Sequence, residues 1–156
     1  MALEEVPPLE YCGFMIRKAT LADLEIIVPL FDAYRQFYKQ APDLDGAGAY
    51  LKARLENGET TIFIDQNNSA FALLYDTFSS VPMQRLTILN DLYTKPEARG
   101  QGLGTALIQA SREHALKMQS VFLRLRTATD NLTAQRVYEK IGFVKDDVYL
   151  TYNLKP

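Results

Sequence analysis

The chain of 156 residues suits one domain with one sizeable hydrophobic core. Its apolar content of 47%, charged content of 23% and net charge of −2 are ordinary for a globular protein and give no general attraction to nucleic acid or anionic membranes. No stretch approaches the ~20 apolar residues of a membrane helix. The sequence therefore predicts neither a nucleic-acid partner nor a membrane partner.

Cysteine and histidine each occur once, as Cys12 and His114. A single cysteine forms no internal disulfide, and the N-terminus lacks a signal peptide's basic and apolar regions, so a reducing, cytoplasmic location is expected. The same two residues exclude the usual clustered zinc sites, and no metal is expected. A hydrolase would require His114 as its base, and a solvated or half-buried helix position is the simpler interpretation.

The first half of the chain predicts a strand, two helices and three further strands. Thr20 and Asp23 resemble a capping box, and apolar residues follow at i, i+3, i+4 spacing as far as Tyr38, which predicts a helix. Pro29 lies inside this pattern and is expected to kink the helix or divide it in two. The other elements predicted here are a strand at residues 13–18, a helix at 47–56 and strands at 60–65, 70–78 and 85–94.

A strand, a glycine-rich turn and a helix follow one another in the middle of the chain. The strand ends near Tyr93, the helix is predicted at residues 103–117, and glycines occupy alternate positions from Gly100 to Gly104. Glycine permits positive φ and lets a ligand approach without a Cβ in the way. Because N–H groups at a helix N-terminus attract anions, this turn is a predicted phosphate-binding site.

The spacing of the glycines distinguishes between phosphate ligands. A dinucleotide fingerprint requires its third glycine one residue after Gly104, and an NTPase phosphate loop requires a lysine that the pair Gly104-Thr105 lacks. The stretch fits the pattern Arg/Gln-x-x-Gly-x-Gly/Ala, from Arg99 to Gly104. This pattern is similar to the acetyl-CoA pyrophosphate loop of the GNAT superfamily of N-acetyltransferases.

The remaining sequence predicts a strand, a helix and two short final strands. The strand at residues 121–127 follows the helix after the glycines, which implies a right-handed parallel crossover. A helix then begins after N-cap candidates at residues 129–131 and ends at Gly142. Its predicted inward residues are Leu132, Val137 and Ile141. The final predicted strands are residues 143–145 and 148–153.

A second motif supports the resemblance. Asn131-x-x-Ala134-x-x-x-Tyr138, continuing to Gly142 and Phe143, is similar to the GNAT segment that closes over CoA and the reacting thioester. The segment around Asp91 and the tyrosines of the first helix most resemble the diamine and histone/polyamine acetyltransferase branch.

The resemblance implies an α/β (α+β) fold of the GNAT type. An N-terminal arm at residues 1–12 would precede a single domain at residues 13–156. A mixed sheet of about six to seven strands would be flanked by about four helices. A V-shaped split would separate the strand that ends near Tyr93 from the strand that starts near Val121.

The resemblance also implies acetyl-CoA as the co-substrate. Main-chain groups of Leu92, Tyr93 and Thr94 would pair with the pantetheine amides. N–H groups of the glycine loop, with added charge from its arginine, would hold the pyrophosphate: Arg99, Gly100, Gln101, Gly102, Leu103, Gly104 and Thr105. The second motif would supply the cofactor contacts Asn131, Ala134 and Tyr138.

The chemistry implied is attack of an amine on the acetyl thioester, with loss of CoA thiolate. At neutral pH only about one alkylamine in a few thousand is unprotonated, so proton removal is part of the barrier. Asp91 is the first candidate for the proton acceptor, directly or through water; alternatively it binds the ammonium while water accepts, or it is structural. Asn90, where many relatives have glutamate, can orient a water. Tyr138 is the candidate proton donor to the sulfur, or else a core tyrosine.

The resulting hypothesis is an acetyl-CoA-dependent N-acetyltransferase that acts on a small cationic or polyamine-like amine. Two alternatives stay open: a protein or peptide lysine acetyltransferase, and a non-catalytic CoA-binding regulatory module. The aromatic-rich first helix and the final strand are compatible with a homodimer.

Overall fold

The computed structural model describes residues 8–156, which fall into two compact units, residues 8–125 and residues 126–156. Among the described residues, the first unit holds a six-stranded mixed sheet and three helices, and the second unit holds a fourth helix. The predicted fold class, with six strands and four helices, is confirmed. That residues 13–156 form a single domain stays a prediction, and the first seven residues of the predicted arm lie outside the described residues.

The sheet is built in chain order, so each strand lies beside the next one in sequence. Its strands are β1 (Leu9–Tyr11), β2 (Phe14–Lys18), β3 (Thr61–Asp65), β4 (Ala70–Ser79), β5 (Gln84–Thr94) and β6 (Ser120–Arg124). The helices are α1 (Leu24–Phe37), α2 (Leu44–Glu56), α3 (Leu103–Lys117) and α4 (Leu132–Ile141). Neighbouring strands are antiparallel up to β5, and β5 and β6 are parallel. The parallel pair confirms a parallel crossover through α3; its right-handedness stays a prediction.

Helices cover both faces of the sheet. On one face, α1 and α2 form the main core with β3 and β4. The largest fully buried side chains there are Ile27, Leu30, Leu51, Ile62, Ile64, Phe71 and Leu73. On the other face lies α3, whose His114 ring packs 6.2 Å from the ring of Phe63 on β3. Among the described residues, no helix combines the length and the apolarity needed to cross a bilayer.

Three predictions for the N-terminal half are corrected. Leu9–Tyr11 is a strand paired with β2, not part of an arm, because an extended edge segment satisfies its backbone by pairing. Of the two alternatives at Pro29, division is excluded, because helix α1 is continuous and the exposed proline removes only one hydrogen bond from its second turn. Helix α2 begins at Leu44, three residues early, because the Asp43 carboxylate caps it by accepting a hydrogen bond from Gly46 N at 2.8 Å.

The predictions for the C-terminal strands are wrong, since residues 143–145 and 148–153 form no strand. The segment alternates apolar and polar residues, yet Val148, Leu150 and Tyr152 are at least 80% exposed. A strand needs a paired neighbour, and α4 is the one regular element of this unit. Leu132 and Val137 are also exposed rather than inward, because the unit offers them no second layer; Ile141 is partly buried.

The capping box before α1 is confirmed. The Asp23 carboxylate accepts hydrogen bonds from the backbone N–H and the hydroxyl of Thr20, and it forms an ion pair with Arg17 at 2.6 Å. The Arg17 hydrogen bond outweighs burial and lowers the pKa of Asp23 to about 2. The ionised carboxylate therefore stabilises the native state.

Replacing Asp23 by Asn should lower the free energy of unfolding at pH 7 by about 2 kcal/mol, the value of a pKa depressed by nearly two units. Because the folded pKa is depressed, this contribution is present above pH ~4 and is lost as the pH falls toward 2. Urea titrations of both proteins between pH 2 and 7 measure the difference. A difference that stays constant over this range would contradict the assignment.

Candidate active site

One extra residue in β5 decides where the side chain of Asp91 points. Leu89 pairs with Leu74 and Asp91 pairs with Leu73, so Asn90 between them has no partner on β4. This is a β-bulge, and it reverses the alternation of side chains along β5. Without it Asp91 would share the α3 face of the sheet with Leu89. With it, Asp91 joins Leu73 on the face covered by α1 and α2.

The carboxylate of Asp91 is buried, with 7% of the residue exposed. The side-chain amide of Asn90 donates a hydrogen bond to its Oδ1 at 3.0 Å. Burial raises the pKa of Asp91, and the hydrogen bonds from Tyr34 and Asn90 only partly oppose this effect. The carboxylate is thus a stronger base than an ordinary surface aspartate.

Asp91 differs from the other buried acids in its partners. Asp23 pairs with Arg17, and Asp32 pairs with Arg35 at 2.6 Å. Asp65 accepts hydrogen bonds from three main-chain N–H groups. Within residues 8–156, no lysine, arginine or histidine forms an ion pair with Asp91. A buried carboxylate without a cation is costly for stability, and such groups are concentrated at functional sites.

Aromatic side chains surround this carboxylate. Burial and then the charge of Asp91 raise the pKa of the Tyr34 hydroxyl, which therefore stays protonated. Burial and the Tyr50 hydroxyl, 2.5 Å from that of Tyr75, raise the pKa of Tyr75, to which the Asp91 charge also contributes. The rings in edge or stacked contact along this wall are Phe31, Tyr34, Phe37, Tyr38, Tyr50, Phe71 and Tyr93.

The glycine loop leaves a helix N-terminus open to an anion. Gly100 and Gly102 have φ of 76° and 94°, which only glycine adopts readily, and Gly102 is the N-cap of α3. No side chain caps this helix, and no acidic residue lies in its first turn. A Cβ on Gly104 would meet nothing within 4 Å, so neither backbone nor packing requires glycine there. This open space and the uncapped N–H groups fit a pyrophosphate.

The side chain of Arg99 lies on the aromatic wall. Its Nε donates a hydrogen bond to the carbonyl of Thr94 at 3.0 Å, and its guanidinium carbon lies 5.9 Å from the ring centres of Phe37 and Tyr93. The pyrophosphate contact expected of Arg99 would therefore come from its main-chain N–H group. Its side chain contacts Phe37 of α1 instead.

The split between β5 and β6 lies where it was predicted. The two strands pair only through Arg85, Thr87 and Ile88 of β5, and β6 ends at Arg124. Beyond that point, no described strand lies on the β6 side of residues 89–94. Main-chain groups of Leu92, Tyr93 and Thr94 thus have an open edge for the amides of a pantetheine arm.

The second motif lies in the second unit. The Asn131 side-chain oxygen caps α4 by accepting a hydrogen bond from Ala134 N at 3.2 Å. Tyr138 is half-buried, and its ring makes an edge contact with Phe143 at 5.9 Å. Gly142 ends the helix with φ of 111°. The structure thus brings Asn131 and Ala134 together in this unit, as it brings Asn90 and Asp91 together in the first.

Sequence reasoning missed the tyrosines beside Asp91. The aromatic spacing of α1 places Tyr34 in a stripe that either packs in the core or lines a substrate pocket, and Tyr75 lies in a predicted strand; neither pattern connects them to Asp91. The bulge that turns Asp91 toward these tyrosines cannot be recognised in the sequence of residues 86–94. A strand with one extra residue is as apolar as a regular strand. The aromatic spacing of α1, centred on Tyr34, was the one available signal.

Comparison with known proteins defines the class. A family model described as the acetyltransferase (GNAT) family matches residues 27–143. The chain therefore belongs to the GNAT family, and it is an acetyl-CoA-dependent N-acetyltransferase.

Three known proteins illustrate the relationship. The uncharacterized N-acetyltransferase YhfO of Bacillus subtilis is 45% identical over 142 residues, 89% of this chain and 95% of the relative. The crystal structure of a probable acetyltransferase matches with a TM-score of 0.84 and 36% identity. The match covers 90% of this chain and 97% of the chain in that crystal structure. Thialysine N-epsilon-acetyltransferase of Bos taurus is 35% identical over 72 residues, 46% of this chain and 42% of the relative.

Replacing Gly104 by Ala should weaken acetyl-CoA binding roughly tenfold while leaving the fold intact or more stable. The new methyl group meets no protein atom, but it occupies the space beside the helix N-terminus that the pyrophosphate would use. Isothermal titration calorimetry gives the dissociation constant, and thermal unfolding gives Tm.

Gly48→Ala is the matched control, because Gly48 is also helical and its added Cβ makes only an ordinary 3.8 Å contact with Val28. It should keep wild-type acetyl-CoA affinity. Equal affinities for the two variants would place the pyrophosphate elsewhere.

Proposed function

We propose that the acceptor of the acetyl group is a small cationic primary amine, which attacks the thioester directly. The observation that carries this proposal is the buried carboxylate of Asp91, for which the described chain supplies no cation. An incoming ammonium group supplies the missing charge. The tyrosines around it provide hydroxyl groups for the ammonium and ring faces for an alkyl chain.

Asp91 is the proposed proton acceptor of the reaction. Bound acetyl-CoA supplies the electrophilic carbonyl and a thiolate leaving group. The ammonium first loses a proton to Asp91, directly or through a water that Asn90 orients, and the neutral amine then attacks. Because burial raises the pKa of Asp91, the transfer is less uphill than to a surface carboxylate. Tyr34 stays protonated and holds the carboxylate in place.

Tyr138 is the proposed proton donor to the departing sulfur. Its support is its position in the second motif, its half-buried place on α4 and the contact of its ring with Phe143. A phenol at neutral pH carries the proton that a thiolate lacks, and the second proton that the nitrogen loses as the amide forms restores the phenol through solvent.

The partial match to thialysine N-epsilon-acetyltransferase supports a primary amine on a flexible chain as the acceptor. The diamine/polyamine branch stays a prediction. Homodimer formation stays a prediction.

Asp91→Asn should lower kcat by a factor on the order of 100 or more and raise the stability at pH 7. The native state favours the protonated carboxyl, since its folded pKa is raised, so ionisation of Asp91 costs stability at neutral pH and the neutral amide removes that cost. The gain in Tm should shrink as the pH falls and wild-type Asp91 becomes protonated. Steady-state rates with a panel of amines and Tm at pH 4–8 test both.

Asp147→Asn is the matched control, since this carboxylate is 79% exposed, and it should change neither quantity. Loss of stability together with retained kcat in Asp91→Asn would reduce Asp91 to a structural residue.

Tyr138→Phe should lower kcat about tenfold or more with little change in acetyl-CoA affinity, because the ring stays and only the donor is lost. The loss of kcat should be largest with acetyl-CoA, because the departing CoA sulfur is a poor leaving group unless it is protonated. The loss should be smaller with an acyl donor whose thiol is more acidic. Full kcat across the pH range with CoA would exclude the leaving-group role.

A further inference from the structure

A row of polar side chains crosses the α3 face of the sheet, away from the acceptor side. Asp76 of β4, Thr87 of β5 and Ser120 of β6 lie on three neighbouring strands, and His114 of α3 lies over the first of them. The Thr87 hydroxyl is 2.7 Å from Asp76 Oδ1 and 2.7 Å from the Ser120 hydroxyl. His114 Nε2 is 2.8 Å from Asp76 Oδ2. Thr87 is completely buried.

The protons in this row have one consistent arrangement. An ionised carboxylate only accepts, so Thr87 donates to Asp76 and His114 donates from Nε2. The Thr87 oxygen then accepts from the Ser120 hydroxyl. The histidine lies at the end of the row and not between acid and hydroxyl, so it cannot take a proton from either hydroxyl, and the row is not a hydrolytic triad.

The row lies at the closed end of the split between β5 and β6. Backbone pairing between these strands is limited to Arg85, Thr87 and Ile88, with a register shift between the first two. The Thr87–Ser120 bond is the side-chain link between the strands at this point. Beyond Ile88, no pairing holds the two strands together among the described residues.

The row also fixes α3 along its axis. His114 lies in the last turn of the helix whose first turn follows the glycine loop. Its bond to Asp76 ties the C-terminal end of α3 to β4. The same row therefore constrains both the strand edge proposed for pantetheine and the helix proposed for the pyrophosphate.

We infer that the row Asp76–Thr87–Ser120, with His114, is a positioning device for acetyl-CoA binding. It determines where β5 and β6 separate and how α3 packs against them. The edge of β5 and the N-terminus of α3 can then bind the same acetyl-CoA molecule. Its residues touch no substrate and act through the backbone. The inference is independent of the acceptor and of the role of Asp91.

Thr87→Val tests the central link, because it removes the hydroxyl and keeps the shape of the side chain. Acetyl-CoA should bind roughly three- to tenfold more weakly, measured by calorimetry well below Tm. Amide hydrogen exchange should become faster in β6 without acceleration in β3. The saturated kcat should change by less than twofold.

Thr61→Val is the matched control, since Thr61 is buried on β3 with the same orientation toward α3 but away from the split. It should keep wild-type affinity even if it lowers Tm as much. Equal weakening in the two variants, or none in Thr87→Val, would overturn the inference and leave the row a general stabilising feature.

Two variants of His114 provide a second test, because one removes the hydrogen bond to Asp76 and the other restores it. His114→Leu should weaken acetyl-CoA binding as Thr87→Val does, because Asp76 loses a donor. His114→Gln restores an N–H donor at similar reach and should recover most of the affinity. If Gln binds as poorly as Leu while both remain folded, the hydrogen bond to Asp76 does not position the helix.

Discussion

The bulge at Asn90 is the constraint on which the site depends. A regular β5 would present Asp91 to α3, on the face of the sheet opposite Tyr34 and Tyr75. The extra residue turns the carboxylate to the α1–α2 face, where Tyr34 and Tyr75 already line the core. It does so two residues beyond Ile88, the last residue of β5 that pairs with β6, so one local irregularity places the proposed base on the strand segment whose open edge is proposed for pantetheine.

Helix α3 is proposed to bind the cofactor from the opposite face. Its N-terminus carries no capping side chain, and the glycines before it clear the approach. In the proposed mechanism the two faces of one sheet carry separate tasks: anion binding at the α3 end, and cation binding around Asp91. The strand between them, β5, contributes to both. This division explains why a chain with a net charge of −2 binds an anionic co-substrate: the charges that matter are local dipoles and not the total.

The sequence was most informative where local signals determine structure. Helix α3 has the predicted bounds, Leu103–Lys117, because glycines mark its start and its apolar period is regular. The capping box at Thr20 was also recognisable, since its two members lie three positions apart. The predicted site residues Asn131 and Ala134 are joined by the same kind of local bond.

Features that depend on pairing between distant segments were not predictable. The direction of Asp91 depends on which residue of β4 lies opposite Leu89, and this register appears only in the folded sheet. The row from His114 to Ser120 joins three strands and a helix, and its members carry no common spacing. The C-terminal segment shows the converse case: residues 148–153 have a strand-like pattern, yet a pattern without a partner forms no strand.

The most direct test is carbon-13 NMR of the Asp91 carboxyl group, assigned by its absence in the Asp91→Asn variant. The structure predicts an apparent pKa above the usual aspartate range in the free enzyme, and a fall in that pKa when a cationic amine binds beside CoA, because the ammonium supplies the missing charge. A carboxyl that titrates in the usual range and does not respond to any amine would contradict the account.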